Sequence, residues 1–335
     1  MIDRAETTVF LHIGLAKTGT SYLQTMLARN QGALLSHNIV YPDDVSLASA
    51  RKGAITSGNG VAFAKFLGAS FPSDQISTLQ ILPTISSALD AGRHVLFSSE
   101  TMSILDDRSS ARQAVDAIRA LGCRVRVIAY FRSLADYALS DYSQQIKSGT
   151  TTLGFVDWLH ESKAASRQDR VLTNALGVFH EEEIIALNYE TGLPDLFRHF
   201  LTRALGIEDV SQFEFAPMRV NRSLTEVETL LMRAMAPVFT NASQARVASD
   251  AMLMSAPETS ASRAISSHAM ELIRARGEEG LSRINRLLGD DPVALASGDI
   301  EVHEAPERKL SEAEGALAAA LAGIIRFGKV NINFE

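Results

Sequence analysis

Residues 8–30 read TVFLHIGLAKTGTSYLQTMLARN, and this stretch decides the fold. Its opening, residues 8–13, is a mostly apolar and β-favouring run, which predicts a buried strand that ends at Gly14. The apolar residues after the glycine recur at helical spacing, so a helix is expected over residues 21–30. The fold therefore begins with a strand, a loop and a helix.

Three further strands are predicted, and helical segments precede two of them. The strands cover residues 93–98, 124–131 and 183–189, and the helices run through residues 81–89 and 111–121. Parallel strands need long crossover connections, which intervening helices supply. The expected fold class is therefore α/β, a P-loop-type three-layer fold with a mostly parallel central sheet.

The chain beyond residue 221 reads as almost wholly helical. We therefore expect an α/β core over residues 1–222 and a helical C-terminal extension, residues 223–335, that packs on the core as a further layer. The helix signals in this extension are capping boxes at Ser223/Glu226 and Ser311/Glu314 and a periodic run over residues 263–288.

Composition indicates an ordinary globular protein. Of 335 residues, 46% are hydrophobic and 21% are charged, which argues against disorder and against a disulfide scaffold. The net charge of −7 disfavours nucleic acid and anionic membranes as partners. A lone Cys123, with neither an export signal nor a run of about 20 apolar residues, predicts a cytoplasmic protein without a membrane span. Oligomeric state stays open.

The loop after the first strand, GLAKTGTSYLQ, has the make-up of an anion site. Backbone N–H groups at a helix N-terminus point outward and carry partial positive charge. Gly19 lets the backbone approach an oxygen atom closely. The side chains expected to contact the anion are those of Lys17, Thr18, Thr20 and Ser21.

The order of residues in this loop differs from a Walker A loop, because here the lysine precedes the glycine. No predicted strand ends in the aspartate that would hold Mg²⁺ in an ATP site. The histidines also lack metal-ligand spacing or a cysteine partner. The sequence therefore predicts a phosphate loop that works without a metal.

A second candidate anion contact follows the strand over residues 124–131. Arg132 ends this strand, and Ser140 comes eight positions later, so two helical turns bring the serine back near the strand end. A guanidinium and a hydroxyl that converge there could bind a phosphate monoester. Taken alone, Arg132 could equally form a surface ion pair.

Together these segments resemble the sulfotransferases that use 3′-phosphoadenosine 5′-phosphosulfate (PAPS). The segment HIGLAKTGTSYLQ is similar to their 5′-phosphosulfate loop, and especially to the IGxxKTGTSxLQ pattern of bacterial members. Arg132 and Ser140 match the family's 3′-phosphate element, and YSQQIKSG resembles the helix that follows it. The resemblance implies that PAPS is bound by Lys17, Thr18, Gly19, Thr20, Ser21, Arg132 and Ser140.

Weaker similarities extend to about residue 231. Tyr189-Glu190 and Asn221-Arg222-Ser223 resemble later family features, although a structural role is the favoured interpretation of the first pair. The resemblance implies transfer of a sulfuryl group to a hydroxyl or amine of a glycan, lipid or small-molecule acceptor. The Gly- and Ser-containing segment 41–72, which includes Arg51-Lys52, is the candidate for a mobile lid or an acceptor-facing insertion.

Three side chains are candidates for the chemistry. Lys17 is expected to stabilise charge on the bridging, leaving oxygen of the phosphosulfate. Glu100 is the preferred general base, since FSSE lies just past the carboxyl end of a predicted strand, where ligands bind in parallel sheets. His12 is the rival base, and the choice between the two stays open.

Two other functions remain compatible with the sequence. A P-loop kinase that uses ATP and Mg²⁺ would fit the strand, loop and helix, but not the residue order of the loop. A non-catalytic nucleotide-binding protein would keep the fold without needing the base.

Overall fold

The computed structural model describes residues 6–43, 58–68, 79–103, 108–217, 223–255, 263–304, 308 and 310–327. Most of the segment 41–72, with Arg51 and Lys52, lies outside the described residues. Asn221 and Arg222 lie outside them too.

A five-stranded sheet with only parallel pairs forms the centre of the described α/β fold. Its strand order is β2-β3-β1-β4-β5. The strands are β1 (Thr8–His12), β2 (Ile39–Val40), β3 (His94–Ser98), β4 (Arg124–Phe131) and β5 (Ile184–Asn188). Because β1 lies between β3 and β4, the loop after β1 emerges in the middle of the sheet's carboxyl edge.

Helices connect the strands and follow the sheet. Up to β5 they are α1 (Thr20–Arg29), α2 (Gln31–Ser36), α3 (Val61–Phe66), α4 (Ile81–Asp90), α5 (Arg108–Arg119), α6 (Leu134–Lys147), α7 (Phe155–Glu161) and α8 (Ala164–Leu176). After β5 they are α9 (Tyr189–Gly192), α10 (Leu196–His199), α11 (Glu226–Met235), α12 (Ala242–Ser255), α13 (Ser267–Leu288) and α14 (Glu312–Phe327).

The sheet carries an apolar core on each face. Val9 and Leu11 of β1 pack on one face with residues of α3, α4, α5 and α8. Leu96 and Ile128 point to the other face and pack with residues of α1 and α10. Successive side chains of a strand alternate between faces, so nearly continuous apolar strands are buried on both sides.

The predicted strands are confirmed to within one residue at each end. The helix predicted over 21–30 spans Thr20–Arg29. Strand β2 was not predicted, because two residues are too short to show a periodic pattern.

The chain forms two compact units, each built from separate stretches of sequence. The first comprises Met1–Arg132, Arg167–Arg219 and Gly280–Val293, and the second comprises Ser133–Ser166, Val220–Glu279 and Ala294–Glu335. The division therefore differs from the single boundary predicted at residue 222. Residues distant in sequence return to each unit, and a linear pattern does not reveal that.

In the second unit, a capping box and a short strand differ from the sequence prediction. The capping box of α11 is formed by Thr225 and Glu228, two residues after the predicted pair Ser223/Glu226. The run predicted as helix from residue 263 begins with a short strand, Ala264–Ser266, which pairs in parallel with Glu301–His303. The box at Ser311/Glu314 is confirmed by two reciprocal hydrogen bonds: the Ser311 N–H donates to Oε2 of Glu314 at 2.8 Å, and the Glu314 N–H donates to Oγ of Ser311 at 3.3 Å.

No helix in the described part of the chain combines the length and apolar character needed to span a bilayer.

Candidate functional site

The candidate site lies at the carboxyl ends of β1 and β4. The connection after β1 leads toward β2 on one side of the sheet, and the connection after β4 leads toward β5 on the other. Such a reversal opens a crevice between the two neighbouring strand ends, the usual ligand position in open parallel sheets. The loop over residues 14–19 follows β1, and Arg132 follows β4.

The loop itself has an unusual backbone at two positions. Gly19 is the N-cap of α1 and is left-handed, with φ 74°, and no side chain caps the helix there. Lys17 is also left-handed, with φ 67°. A non-glycine residue rarely adopts this conformation unless its surroundings hold it there, and such positions cluster at ligand sites.

The loop turns its threonine hydroxyls inward. The Oγ1 atoms of Thr18 and Thr20 both donate to the carbonyl oxygen of Leu15, at 2.6 and 2.8 Å. These side chains are buried and shape the loop, so their hydroxyl protons do not point to a ligand in this structure. Ser21 is exposed at the start of α1. The available donors are therefore the Ser21 hydroxyl and the backbone N–H groups of the uncapped helix start, with Lys17 as the nearby cation.

Arg132 reaches back to this loop. Its Nη1 donates to the carbonyl oxygen of Lys17 at 2.9 Å. Its guanidinium lies over the ring of Tyr189, 5.0 Å from the centroid, and its Nε is 3.7 Å from a carboxylate oxygen of Glu190. The structure thus brings together the two segments that the sequence marks as anion-binding.

Tyr189 and Glu190 complete this cluster, although the sequence favoured a structural role for them. Tyr189 also contacts the loop, because a Cβ at Gly19 would lie 3.3 Å from the tyrosine ring. Burial raises the pKa of Tyr189, and Arg132 lowers it in part. The phenol therefore stays neutral at physiological pH, while Glu190 faces Arg132 as its counter-ion.

Glu100 lies where the sequence predicts it, at the carboxyl edge beside the loop. It is exposed and begins a short 3₁₀-helix, Glu100–Ser103, directly after β3. Gly14 has φ 96°, and a Cβ there would be 3.3 Å from the Cβ of Glu100. The glycine therefore allows the carboxylate-bearing turn to approach the start of the loop.

His12 lies in a different environment from Glu100. It is fully buried, its Nδ1 is 2.8 Å from Oγ of Ser98, and its ring packs edge-on against Tyr130 and Phe200. Burial lowers its pKa from 6.5 to about 3. The imidazole is therefore neutral and enclosed, whereas the Glu100 carboxylate is exposed at the carboxyl edge of the sheet.

Ser140 lies half-buried on α6, in the second unit, whereas Arg132 directly follows β4 in the first. Its pairing with Arg132 stays a prediction from the sequence.

One polar group at this edge belongs to the IGxxKTGTSxLQ pattern but was given no role from the sequence. Gln24 of α1 is 1% exposed, and neither of its amide atoms has a hydrogen-bond partner among the described residues. The amide lies against Gly58, whose hypothetical Cβ would be 2.8 Å from Nε2. The motif includes this glutamine, but its burial follows only from tertiary packing.

No family model and no curated protein matches this chain. Within the described residues, no group of three or more histidine, cysteine, aspartate or glutamate side chains could hold a metal ion.

Proposed function

We propose that this protein is a sulfotransferase that moves a sulfuryl group from PAPS to a hydroxyl or amine of a small-molecule, lipid or glycan acceptor. The supporting observation is the hydrogen bond from Arg132 Nη1 to the carbonyl oxygen of Lys17. It joins two segments 115 residues apart, both of which the family resemblance assigns to anion binding. Their meeting at the crevice between β1 and β4 supports a ligand with two anionic groups.

In this proposal the two ends of PAPS bind to different parts of the crevice. The 5′-phosphosulfate lies at the N-terminus of α1, where backbone N–H groups and Lys17 offset its charge. The 3′-phosphate is bound by Arg132, assisted by Ser140, and displaces Glu190 from the guanidinium. Since the hydroxyls of Thr18 and Thr20 are engaged by Leu15, these residues contribute their backbone N–H groups.

The proposed reaction is an in-line displacement at sulfur. The acceptor oxygen forms a bond to sulfur while the bond from sulfur to the bridging oxygen breaks, and adenosine 3′,5′-bisphosphate leaves. Glu100 takes the proton of the acceptor hydroxyl, and Lys17 stabilises the charge on the leaving oxygen. The α/β unit acts as a P-loop-type core in the cytoplasm, a setting compatible with the single, buried Cys123.

The test is calorimetric binding of adenosine 3′,5′-bisphosphate and of ATP in the presence of a chelator. We expect the bisphosphate to bind without metal, and Arg132→Ala to weaken it about 10-fold to 100-fold by removing a charged hydrogen-bond donor. Arg119→Ala is the matched control. That arginine pairs with Glu183 and ends α5, at the opposite edge of the sheet, so its loss should leave affinity unchanged.

A preference for ATP, or binding that requires Mg²⁺, would reject the sulfotransferase and favour the kinase. Binding of the bisphosphate that is equal in wild type and Arg132→Ala would remove Arg132 from the site.

A further inference from the structure

The side-chain amide of Gln168 forms two hydrogen bonds with the backbone of Arg132. Its Oε1 accepts a hydrogen bond from the Arg132 N–H at 2.9 Å, and its Nε2 donates to the Arg132 carbonyl oxygen at 2.8 Å. Gln168 is fully buried. An amide carries one acceptor and two donors, so it offers Arg132 what a neighbouring strand would offer.

The two hydrogen bonds from Gln168 lie just beyond the point at which β4 stops pairing with β5. The register between β4 and β5 ends at the pair Phe131 and Asn188, one residue before Arg132. Backbone groups away from water need hydrogen-bond partners, and Gln168 provides both. The peptide groups of Arg132 are therefore fixed beyond the end of the ladder.

A fixed backbone decides where the guanidinium lies. The arginine side chain has several rotatable bonds, and its contacts with Lys17, Tyr189 and Glu190 require its main chain to be held in one defined position. The side chain is 12% exposed. Its placement against the loop thus depends on the amide that holds its main chain.

The helix that carries Gln168 is itself anchored. The next residue, Asp169, accepts two hydrogen bonds from Arg283 of α13, at 2.8 and 2.6 Å. A Cβ on Gly280 would be 2.5 Å from the Cβ of Asp169, so α13 approaches α8 closely at this point. Such a bidentate pair limits movement of α8, and Gln168 with it.

We propose that Gln168 is a positioning residue that sets the anion-binding geometry of Arg132. The inference rests on the proposed function in one respect, namely that Arg132 binds a phosphate of the ligand. Gln168 acts through Arg132 and touches no ligand. Asparagine would be one methylene too short for both bonds, and an ionised glutamate would lack the donor for the carbonyl oxygen.

The first measurement concerns the protein without ligand. The ¹⁵N heteronuclear NOE of the Arg132 Nε–H reports the mobility of its guanidinium, and we expect a rigid group in wild type and a mobile one in Gln168→Ala. Asn285→Ala is the matched control, because Asn285 makes the same reciprocal pair with Val293, at 2.9 and 2.9 Å. Unchanged Arg132 mobility in Gln168→Ala would overturn the inference.

The second measurement is affinity for adenosine 3′,5′-bisphosphate in a double-mutant cycle. Gln168→Ala should weaken binding about 10-fold in the wild-type background and have no further effect when Arg132 is alanine. Equal weakening in both backgrounds would indicate a merely structural role and would also overturn the inference. A wild type that binds no bisphosphate would instead reject the proposed function, while the NMR comparison still decides the positioning of Arg132.

Discussion

Gly19 is the residue on which the geometry of the loop depends most directly. Its backbone is left-handed, and a Cβ there would lie 2.4 Å from a methyl group of Leu196 and 3.3 Å from the ring of Tyr189. Any side chain would therefore strain the backbone and push α10 away from the helix start. The left-handed backbone and the close packing therefore both disfavour any other residue at position 19.

We expect Gly19→Ala to lower the free energy of unfolding by about 2–4 kcal/mol, from left-handed strain and overpacking together. Gly32→Ala is the matched control, because nothing lies within 4 Å of a Cβ there, and alanine stabilises a helix by up to about 1 kcal/mol. Urea unfolding of both variants is the measurement. Similar effects at the two positions would contradict the packing seen at Gly19.

His12 contributes stability that depends on pH. Its pKa is 6.5 in an unfolded chain and about 3 when buried, so between these values the unfolded state binds more protons than the native state. The contribution of His12 is complete above pH 6.5 and is lost as pH falls toward 3. One such group changes the free energy of unfolding by about 1.4 kcal/mol per pH unit.

His12→Gln should therefore flatten the acid side of the stability profile. Chemical denaturation of wild type and variant at several pH values between 7.5 and 4.5 gives the two slopes, and carboxylates common to both cancel in the difference. The variant will also lose stability at neutral pH through altered packing, but the slope is the relevant readout. Equal slopes would mean that His12 is accessible to protons in the native state.

At the scale of elements, α6 is tied to distant segments of its own unit by one aspartate. Asp136 is 1% exposed in the first turn of α6 and accepts hydrogen bonds from the backbone N–H and Oγ of Ser297, at 2.9 and 3.0 Å. Ser133 and Arg263 donate to the same carboxylate. One side chain thus joins three stretches that are far apart in sequence.

Removal of this carboxylate should leave several donors without an acceptor. We expect Asp136→Ala to cost about 2–3 kcal/mol, less than for a fully buried ion pair, because the Arg263 side chain is 35% exposed. Asp157→Ala is the control, since this exposed aspartate in the first turn of α7 contributes under about 1 kcal/mol through the helix dipole. Thermal unfolding of the two variants tests this difference. Equal shifts in melting temperature would mean that the hydrogen bonds accepted by Asp136 do not stabilise the unit.

At the scale of the whole molecule, the sequence predicted the elements better than their assembly. Strands of the central sheet are apolar over most of their length, so each of the longer ones produces a local signal. The two-residue β2 and the three-residue pair at Ala264–Ser266 and Glu301–His303 produce none. The sequence also did not predict which stretches of the chain form each of the two units, because that division depends on contacts between residues remote in sequence.

The candidate site divides in the same way. The sequence by itself determined that Lys17 and Gly19 lie in the loop between the first strand and the first helix, and that Arg132 lies at a strand end. Residue type and neighbouring periodicity are local properties, so they can be read without the fold. Only the tertiary structure decided that Arg132 donates to Lys17 and that Gln168 holds its backbone. It also enclosed His12, whose burial lowers its pKa to about 3. Strand order and burial arise from contacts across the fold, and no local pattern encodes them.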